Sequence, residues 1–144
     1  MRRRALELIV LLGLPLLLGT GVVAPANAAQ TAPTVKIASI TLVAKGAAVD
    51  LALEIRCDAG LPADVSVEIN QSVRKTAIAR SSDFVGFYCT GQDPQTLTLR
   101  LIAFANGAPF QLGVALASAA LSVCEPEVSC ESARTSQVIK IQRK

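Results

Sequence analysis

Apolar and polar residues alternate with a period of two along most of the chain. The clearest case is residues 49–57, where every second residue is apolar and the residues between are mostly polar. The same alternation recurs at residues 65–70, 85–89, 97–101 and 139–142. Because successive side chains of a β-strand point to opposite faces, this pattern predicts strands that each bury one face in a core.

The first predicted strand changes phase in its middle. Val35 and Ile37 share one phase, whereas Ile40 and Leu42 share the other. A slip of one residue exchanges the two faces of a strand, so we expect a β-bulge near residues 38–39. Such a split lets a first strand serve both sheets of a sandwich.

The segment from residue 113 to residue 124 has a different composition, because it is rich in Ala and Ser and apolar on both faces. In isolation it is compatible with either a helix or a strand. Pro109, Gly113 and Cys124 bracket a length typical of a strand. We therefore interpret the segment as a central strand whose small side chains lie under close neighbours.

Turn-forming residues separate the apolar runs. They fall at residues 45–46, 60–62, 91–94, 106–107 and 125–126. The Asn-Gly pair at 106–107 favours a tight type I′ turn. About seven short strands at this spacing predict an all-β fold, an immunoglobulin-like antiparallel β-sandwich.

The amino-terminal segment has the three parts of a secretory signal. Arg2, Arg3 and Arg4 precede an apolar run over residues 5–18, and Ala26-Asn27-Ala28 forms a small-x-small cleavage site. We predict a cleaved signal peptide at 1–28, general secretion, and a secreted domain at 29–144. The alternative is an uncleaved anchor, since residues 8–29 are long enough to span a bilayer.

Four cysteines follow the predicted signal, and an even number in a short exported chain indicates two disulfides. Three pairings are possible. We choose Cys57–Cys89 and Cys124–Cys130, because the five residues between the last two suit a clamp across a turn. A zinc site is disfavoured, since no close pair of cysteines has metal-ligand spacing.

Composition narrows the chemistry. The chain has no His and no Trp, so neither Ser–His catalysis nor a His metal site is available. We therefore expect a protein that is not an enzyme and that carries no cofactor and no metal. Three arginines of the predicted signal contribute much of the formal net charge of +3. The remainder gives no strongly basic footprint for nucleic acid, and no further segment is long enough to span a membrane.

Two groups of residues form a possible interaction surface. Arg74, Lys75 and Arg80 suit either an anionic polymer or, in our preferred interpretation, the protection of an edge strand against pairing. Phe84 and Tyr88 share one face of their strand, and we interpret them as at least partial cover for the core, with an exposed patch as the alternative.

Three carboxylates surround the last two cysteines. Glu125, Glu127 and Glu131 could contribute oxygen ligands to Ca²⁺, but no calcium-loop spacing accompanies them. A solvated hairpin tip is the preferred interpretation.

Several short motifs resemble those of a family of small secreted actinobacterial proteins of unknown function. They are the V-x-V-x-x-x-Q strand at 65–71, the Cys-Thr-Gly turn at 89–91, the Pro-Phe-x-x-Gly-x-Ala segment at 109–115, and the final cysteines, Cys124 and Cys130. The resemblance implies secretion, a β-sandwich with an immunoglobulin-like fold and four cysteines. It implies no activity.

The sequence thus predicts a secreted, non-catalytic binding module at or outside the cell envelope. Its expected partner is an extracellular protein, a polysaccharide or a small molecule, with no contact to nucleic acid or, after signal cleavage, to membrane. The alternative is a small-molecule carrier or a protease-inhibitor-like protein. A pocket between the sheets along residues 113–123 would favour a carrier, and a protruding loop at 106–112 or 58–63 would favour an inhibitor.

Overall fold

The computed structural model describes residues 31–144, which form an all-β domain. The predicted signal peptide at 1–28 lies outside the described residues. The seven strands are β1 (Thr34–Val43), β2 (Ala48–Arg56), β3 (Pro62–Arg74), β4 (Ala77–Tyr88), β5 (Gln95–Ile102), β6 (Gly113–Glu125) and β7 (Ser129–Arg143).

The strands form an immunoglobulin-like β-sandwich, as the alternation predicts. They are hydrogen-bonded in the order β4-β3-β6-β7-β1-β2-β5. The layer β4-β3-β6-β7 faces the layer β1-β2-β5, and the inward-facing residues of both belong to one apolar core. The core includes the alternating residues Val49, Leu51, Leu53 and Ile55 of β2, all fully buried.

One pairing departs from the predicted antiparallel arrangement. The end of β1 runs parallel to the end of β7, with Ile40 beside Ile141 and Leu42 beside Arg143. All other ladders in the described region are antiparallel. The parallel ladder joins the two layers, and it covers only the last part of β1 because the strand changes direction before it.

The predicted bulge in β1 is confirmed. The register with β2 shifts between Ile37 and Ser39, which leaves Ala38 as the extra residue. Ile37 and Ile40 are both buried as a result. The side-chain amide of Gln137 donates to the carbonyl oxygen of Ile37 at 2.9 Å, so the backbone at the bulge finds a partner on β7.

The predicted central strand at residues 113–124 is also confirmed, because β6 lies between β3 and β7. Ala115, Ala117 and Ala119 point into the core. Their small side chains leave room for the facing layer, which explains why this strand shows no conventional pattern of large apolar residues.

The predicted type I′ turn at Asn106–Gly107 is wrong. The Gly107 N–H donates to the carbonyl oxygen of Phe104 at 2.8 Å, which puts Ala105 and Asn106 at the centre of the turn. A type I′ turn needs positive φ at both central residues, and neither has it. The segment crosses from β5 to β6, which are not paired, so it has no hairpin to close.

Both predicted disulfides are present. Cys57–Cys89 joins the end of β2 to the residue after β4 and so links the two layers, with Cα atoms 5.8 Å apart. Cys124–Cys130 joins directly opposed residues of the β6–β7 hairpin. Two disulfides fit an oxidising environment. Within residues 31–144, no helix has the length and apolar character needed to cross a bilayer.

Candidate functional site at the basic end

Four chain segments meet at one end of the sandwich, which we call the basic end. They are the β1–β2 turn, the β3–β4 turn, the β5–β6 connection and the final residues 139–144. The parallel ladder places the end of β1 beside the end of β7. The Phe110 N–H donates to the Gly46 carbonyl at 2.8 Å, and the Ala108 N–H donates to the Ile78 carbonyl at 3.2 Å. These contacts tie the connection to both turns.

Exposed cations gather at the basic end. The β1–β2 turn, the β3–β4 turn and the end of the chain contribute them, although these segments are far apart in sequence. None of them forms an ion pair within 4.0 Å in the part of the chain that the structure describes. The residues are Lys45, Arg74, Lys75, Lys140, Arg143 and Lys144.

The carboxylates that lie toward this end are already held by other cations. Arg100 donates to both oxygens of Asp50, at 2.8 and 3.0 Å. This hydrogen bonding lowers the pKa of Asp50, and the charge of Lys144 adds to the effect. Hydrogen bonds from Asn70 and then from Arg80 lower the pKa of Glu68. Each of these acids therefore has a cation of its own, and of the six exposed cations Lys144 acts on Asp50 without a contact within 4.0 Å.

Exposed apolar side chains stand among these cations. Val114 lies directly opposite Lys140 in the β6–β7 ladder. Val138 occupies the next position on the same face, about 7 Å further along β7, and is 71% exposed. Monomeric proteins rarely leave large apolar side chains clustered in water. The exposed apolar residues nearest this end are Ile78, Ile102, Phe104, Leu112 and Val114. Leu116 and Val138 lie one pair further from it, level with Arg80 across the sheet.

A buried glutamine holds the β5–β6 connection in place. Gln71 is 3% exposed, donates to the Gln111 carbonyl and accepts from the Gln111 N–H, both at 2.8 Å. Phe110 beside it is buried in the core. Gly46 adopts φ of 94°, and a Cβ there would collide with the Phe110 carbonyl oxygen. The basic end is thus ordered by buried hydrogen bonds and by close backbone packing.

The opposite end, which we call the acidic end, has the reverse charge. Its carboxylates come from the loops and hairpin beside the two disulfides, namely Asp58, Asp93, Glu125, Glu127 and Glu131. Arg56 pairs with Asp93 at 2.6 Å. No group of three or more potential metal ligands comes together within residues 31–144. The glutamates around Cys124 and Cys130 therefore do not assemble a calcium site in the described structure.

The five residues predicted as an interaction surface do not converge. Arg74 and Lys75 belong to the basic end, whereas Arg80 lies on β4 and pairs with Glu68 at 3.1 Å. Phe84 and Tyr88 follow further along β4, about 14 Å apart. They separate because all five lie in sequence along one extended hairpin. β4 is an edge strand, which agrees with the protective position suggested for its charges.

Phe84 and Tyr88 are 64% and 71% exposed. The interpretation of both rings as cover for the core is therefore wrong. They occupy the outer face of β4, whereas Phe87 between them is half-buried against the core. Their exposure follows from the alternation of the strand, since Cys89 points inward and fixes the phase.

An open depression crosses the middle of the four-stranded layer on its outer face. Its volume is ≈ 800 Å³, and its lining includes Ser66, Ser118 and Ala120, with Phe84 and Arg134 at opposite sides. This is not the pocket between the sheets that would favour a carrier, because the inward residues of β6 are packed in the core. A cavity near Cys57 and Val123 measures only ≈ 20 Å³, about enough for one water molecule.

The two loops considered for an inhibitor are anchored. The 106–112 loop is held by the Gln71 and Phe110 contacts described above. In the 58–63 loop, the Gly60 N–H donates to the Cys89 carbonyl at 2.8 Å, and the Cys89 N–H donates to the Leu61 carbonyl at 2.9 Å. Both loops are thus held against neighbouring segments by hydrogen bonds.

Sequence reasoning identified Arg74 and Lys75 but missed the rest of the basic end. Gln71 carries a usable signal, because it shares the buried phase of Val65, Val67 and Ile69. A polar residue in a buried phase indicates a side chain with hydrogen-bond partners.

No protein-family model matches the chain, and no curated protein is detectably similar to it.

Proposed function

We propose that this protein is a secreted, non-catalytic binding module that acts at or outside the cell envelope and contacts its partner through the basic end. One observation carries the proposal. Six cations without ion-pair partners lie beside exposed apolar side chains at the same end of the described domain. Cations are well hydrated on their own, but clustered apolar side chains among them are unusual on a protein surface, and a partner surface explains the two together.

Secretion is supported by two independent features. The sequence begins with a basic segment, an apolar run and a small-x-small site, which is the pattern of a signal peptide. The two disulfides fit an oxidising compartment. A rigid sandwich with its connections displayed at one end is also a common arrangement for binding.

A non-catalytic role is supported by the ionisable groups. Within residues 31–144, the pKa is displaced at Asp50, Glu68 and Arg100, and a surface ion pair or hydrogen bond explains each. Catalytic groups are usually displaced by burial or by a specific partner inside a cleft. The lack of His in the sequence removes the commonest general base.

The open depression between Phe84 and Arg134 is the observation that would favour a carrier instead. Carrier pockets enclose most of their ligand. Because this depression is open and crosses the outer surface of the sheet, it supports a carrier less well than the basic end supports a binding module.

The test is cosedimentation of the protein with isolated cell envelopes. We expect the wild-type protein to sediment with envelopes at low salt and to be released as salt rises, because the contact is largely electrostatic. Replacing three cations together, Arg74→Gln, Lys75→Gln and Lys140→Gln, should abolish sedimentation. Arg134→Gln is the control, since Arg134 is an exposed cation away from the basic end. Equal loss in both variants, or no loss in either, would reject this surface.

A further inference from the structure

We infer that the partner of the basic end is an anionic lipid bilayer, to which the sandwich docks peripherally without crossing it. This inference rests on the proposed function and names its partner. The sequence alone predicts no membrane contact after signal cleavage, because no further segment is long enough to span. Peripheral docking needs no such segment, since a folded surface can combine apolar contact with charge.

The apolar side chains distinguish a bilayer from a hydrophilic polyanion. A polyanion would need only the cations, and exposed valine or isoleucine side chains would gain nothing from it. Val114 and Lys140 are directly opposed across two strands, and Val138 follows on the same face. Ile78 stands one residue beyond the partner of Arg74 in the β3–β4 ladder. A bilayer surface offers anionic headgroups and acyl chains within a few ångströms of each other, which matches this interleaving.

The lysine and arginine side chains can reach headgroups while the valines enter the interface. Long cationic side chains bury their aliphatic stems and keep the charge in the polar layer. Lys45 and Lys75 lie in turns, and Arg74 is the last residue of β3. Lys140 lies near the end of β7, and Lys144 follows that strand. Lys140 lies on the same exposed face as Val114 and Val138, so these charged and apolar side chains can contact one surface together.

The charge distribution fixes that orientation. The acidic end lies at the far end of the sandwich, and β3, with 13 residues, spans about 40 Å between the two ends. The Debye length at physiological salt is about 8 Å, so the two ends are several Debye lengths apart. The carboxylates of the acidic end are therefore screened from the membrane, while the cations of the basic end lie against it.

The experiment is cosedimentation of the protein with vesicles at low and physiological salt. The vesicles contain phosphatidylcholine alone, or about three parts phosphatidylcholine to one part phosphatidylglycerol. The protein is recovered from the medium of expressing cells, with its amino terminus determined. We expect binding to the anionic vesicles, weakened by salt, and little binding to the neutral ones. Only protein without the leader is used, because Arg2, Arg3 and Arg4 of a retained leader would themselves favour the anionic vesicles.

Three variants divide the contact into its parts. Arg74→Gln with Lys75→Gln should reduce vesicle partitioning about thirtyfold, since each cation near an anionic surface contributes about fivefold. Val138→Ser should reduce it roughly three- to tenfold by removing apolar burial. Val128→Ser is the matched control, because Val128 is 70% exposed but lies at the acidic end; it should leave partitioning unchanged.

Several results would overturn the lipid inference. Equal binding to neutral and anionic vesicles would contradict it, as would equal effects of Val138→Ser and Val128→Ser. Sedimentation with envelopes, or binding to inorganic polyphosphate, without vesicle binding would reject the bilayer while leaving the proposed binding function intact. Self-association that Val138→Ser abolishes, again without vesicle binding, would assign the surface to a second copy of the chain. Loss of envelope binding as well would reject both proposals.

Discussion

The two ends of this sandwich are built from the same strands but are fastened and charged differently. The acidic end contains both disulfides, Cys57–Cys89 and Cys124–Cys130, and a set of carboxylates. The basic end contains no disulfide, and the carboxylates toward it, Asp50 and Glu68, are paired with Arg100 and Arg80. It is held by the buried Gln71 and the packed Phe110. Exposed apolar side chains concentrate at the basic end, with Val128 and Tyr88 as exceptions at the other.

On the proposed function, this difference separates the contacts that stabilise the fold from the side chains that bind a partner. Covalent braces stabilise the acidic end without requiring any particular surface there. At the basic end, order comes from hydrogen bonds beneath the surface, so the surface side chains are left available for a partner. Changes inside each end should therefore alter the free energy of unfolding, whereas changes on the surface of the basic end should alter binding alone.

The largest expected effect comes from the disulfide between the layers. Replacing Cys57 and Cys89 together with Ala removes a bridge across 32 positions of sequence. On the loop-entropy description, this should lower the free energy of unfolding by about 3–4 kcal/mol. Urea denaturation of the purified variant measures it.

The hairpin disulfide provides the comparison within the same end. Cys124 and Cys130 are separated by only 6 positions, so their joint replacement with Ala should cost about 2 kcal/mol. A larger cost for the hairpin bridge than for the Cys57–Cys89 bridge would contradict the idea that loop length sets the stabilisation here.

A comparable decrease in the free energy of unfolding is expected when the hydrogen bonds between Gln71 and Gln111 at the basic end are removed. Gln71→Leu removes both bonds to the Gln111 backbone and leaves buried polar groups without partners, which should cost about 2–3 kcal/mol. Urea denaturation again measures the change. Ser72→Ala is the control, because Ser72 is exposed on the same strand. Equal free energies of unfolding for Gln71→Leu and Ser72→Ala would show that the Gln71 hydrogen bonds do not stabilise the fold.

A smaller, pH-dependent effect is expected at Asp50. Its pKa is lowered in the folded protein, chiefly by the hydrogen bonds from Arg100. A carboxyl with a lowered pKa stabilises the fold above its ordinary pKa of 3.8, and this contribution is lost as pH falls through the folded value. Asp50→Asn should therefore lower the melting temperature at pH 6 more than at pH 3. An equal decrease in melting temperature at pH 6 and pH 3 would contradict a stabilising ion pair between Asp50 and Arg100.

The smallest expected effect on stability comes from the exposed valines. Val138→Ser should change the free energy of unfolding by less than about 0.5 kcal/mol, because the side chain is exposed. Thermal denaturation checks this. A loss near that of a core substitution would mean that Val138 supports the fold and would remove it from the argument for binding.

Much of the fold could be predicted because the sequence carries local signals for it. The alternation at residues 49–57 gave the core face of β2, and the phase change between Ile37 and Ile40 gave the bulge. The hairpin pairing of Cys124 with Cys130 followed from close spacing. Each of these features depends on residues that are neighbours in sequence.

The basic end could not be predicted, since it depends on topology. Lys45, the Arg74–Lys75 pair and the residues from Lys140 onward meet only because β1 pairs in parallel with β7 and β3 pairs with β6. Alternation specifies which face of a strand is buried, but it does not specify strand order or direction. The wrong turn type at Asn106–Gly107 has the same origin, because the segment connects two strands that are not neighbours.

The most direct test of the account is hydrogen exchange of the protein with and without anionic vesicles. We predict slower amide exchange at residues 44–47, 74–76, 104–112 and 139–144 when vesicles are present, with no change at 58–60 and 125–131. Protection confined to the acidic end would contradict the assignment of the basic end as the interaction surface, and so would bound protein in which none of the four segments is protected.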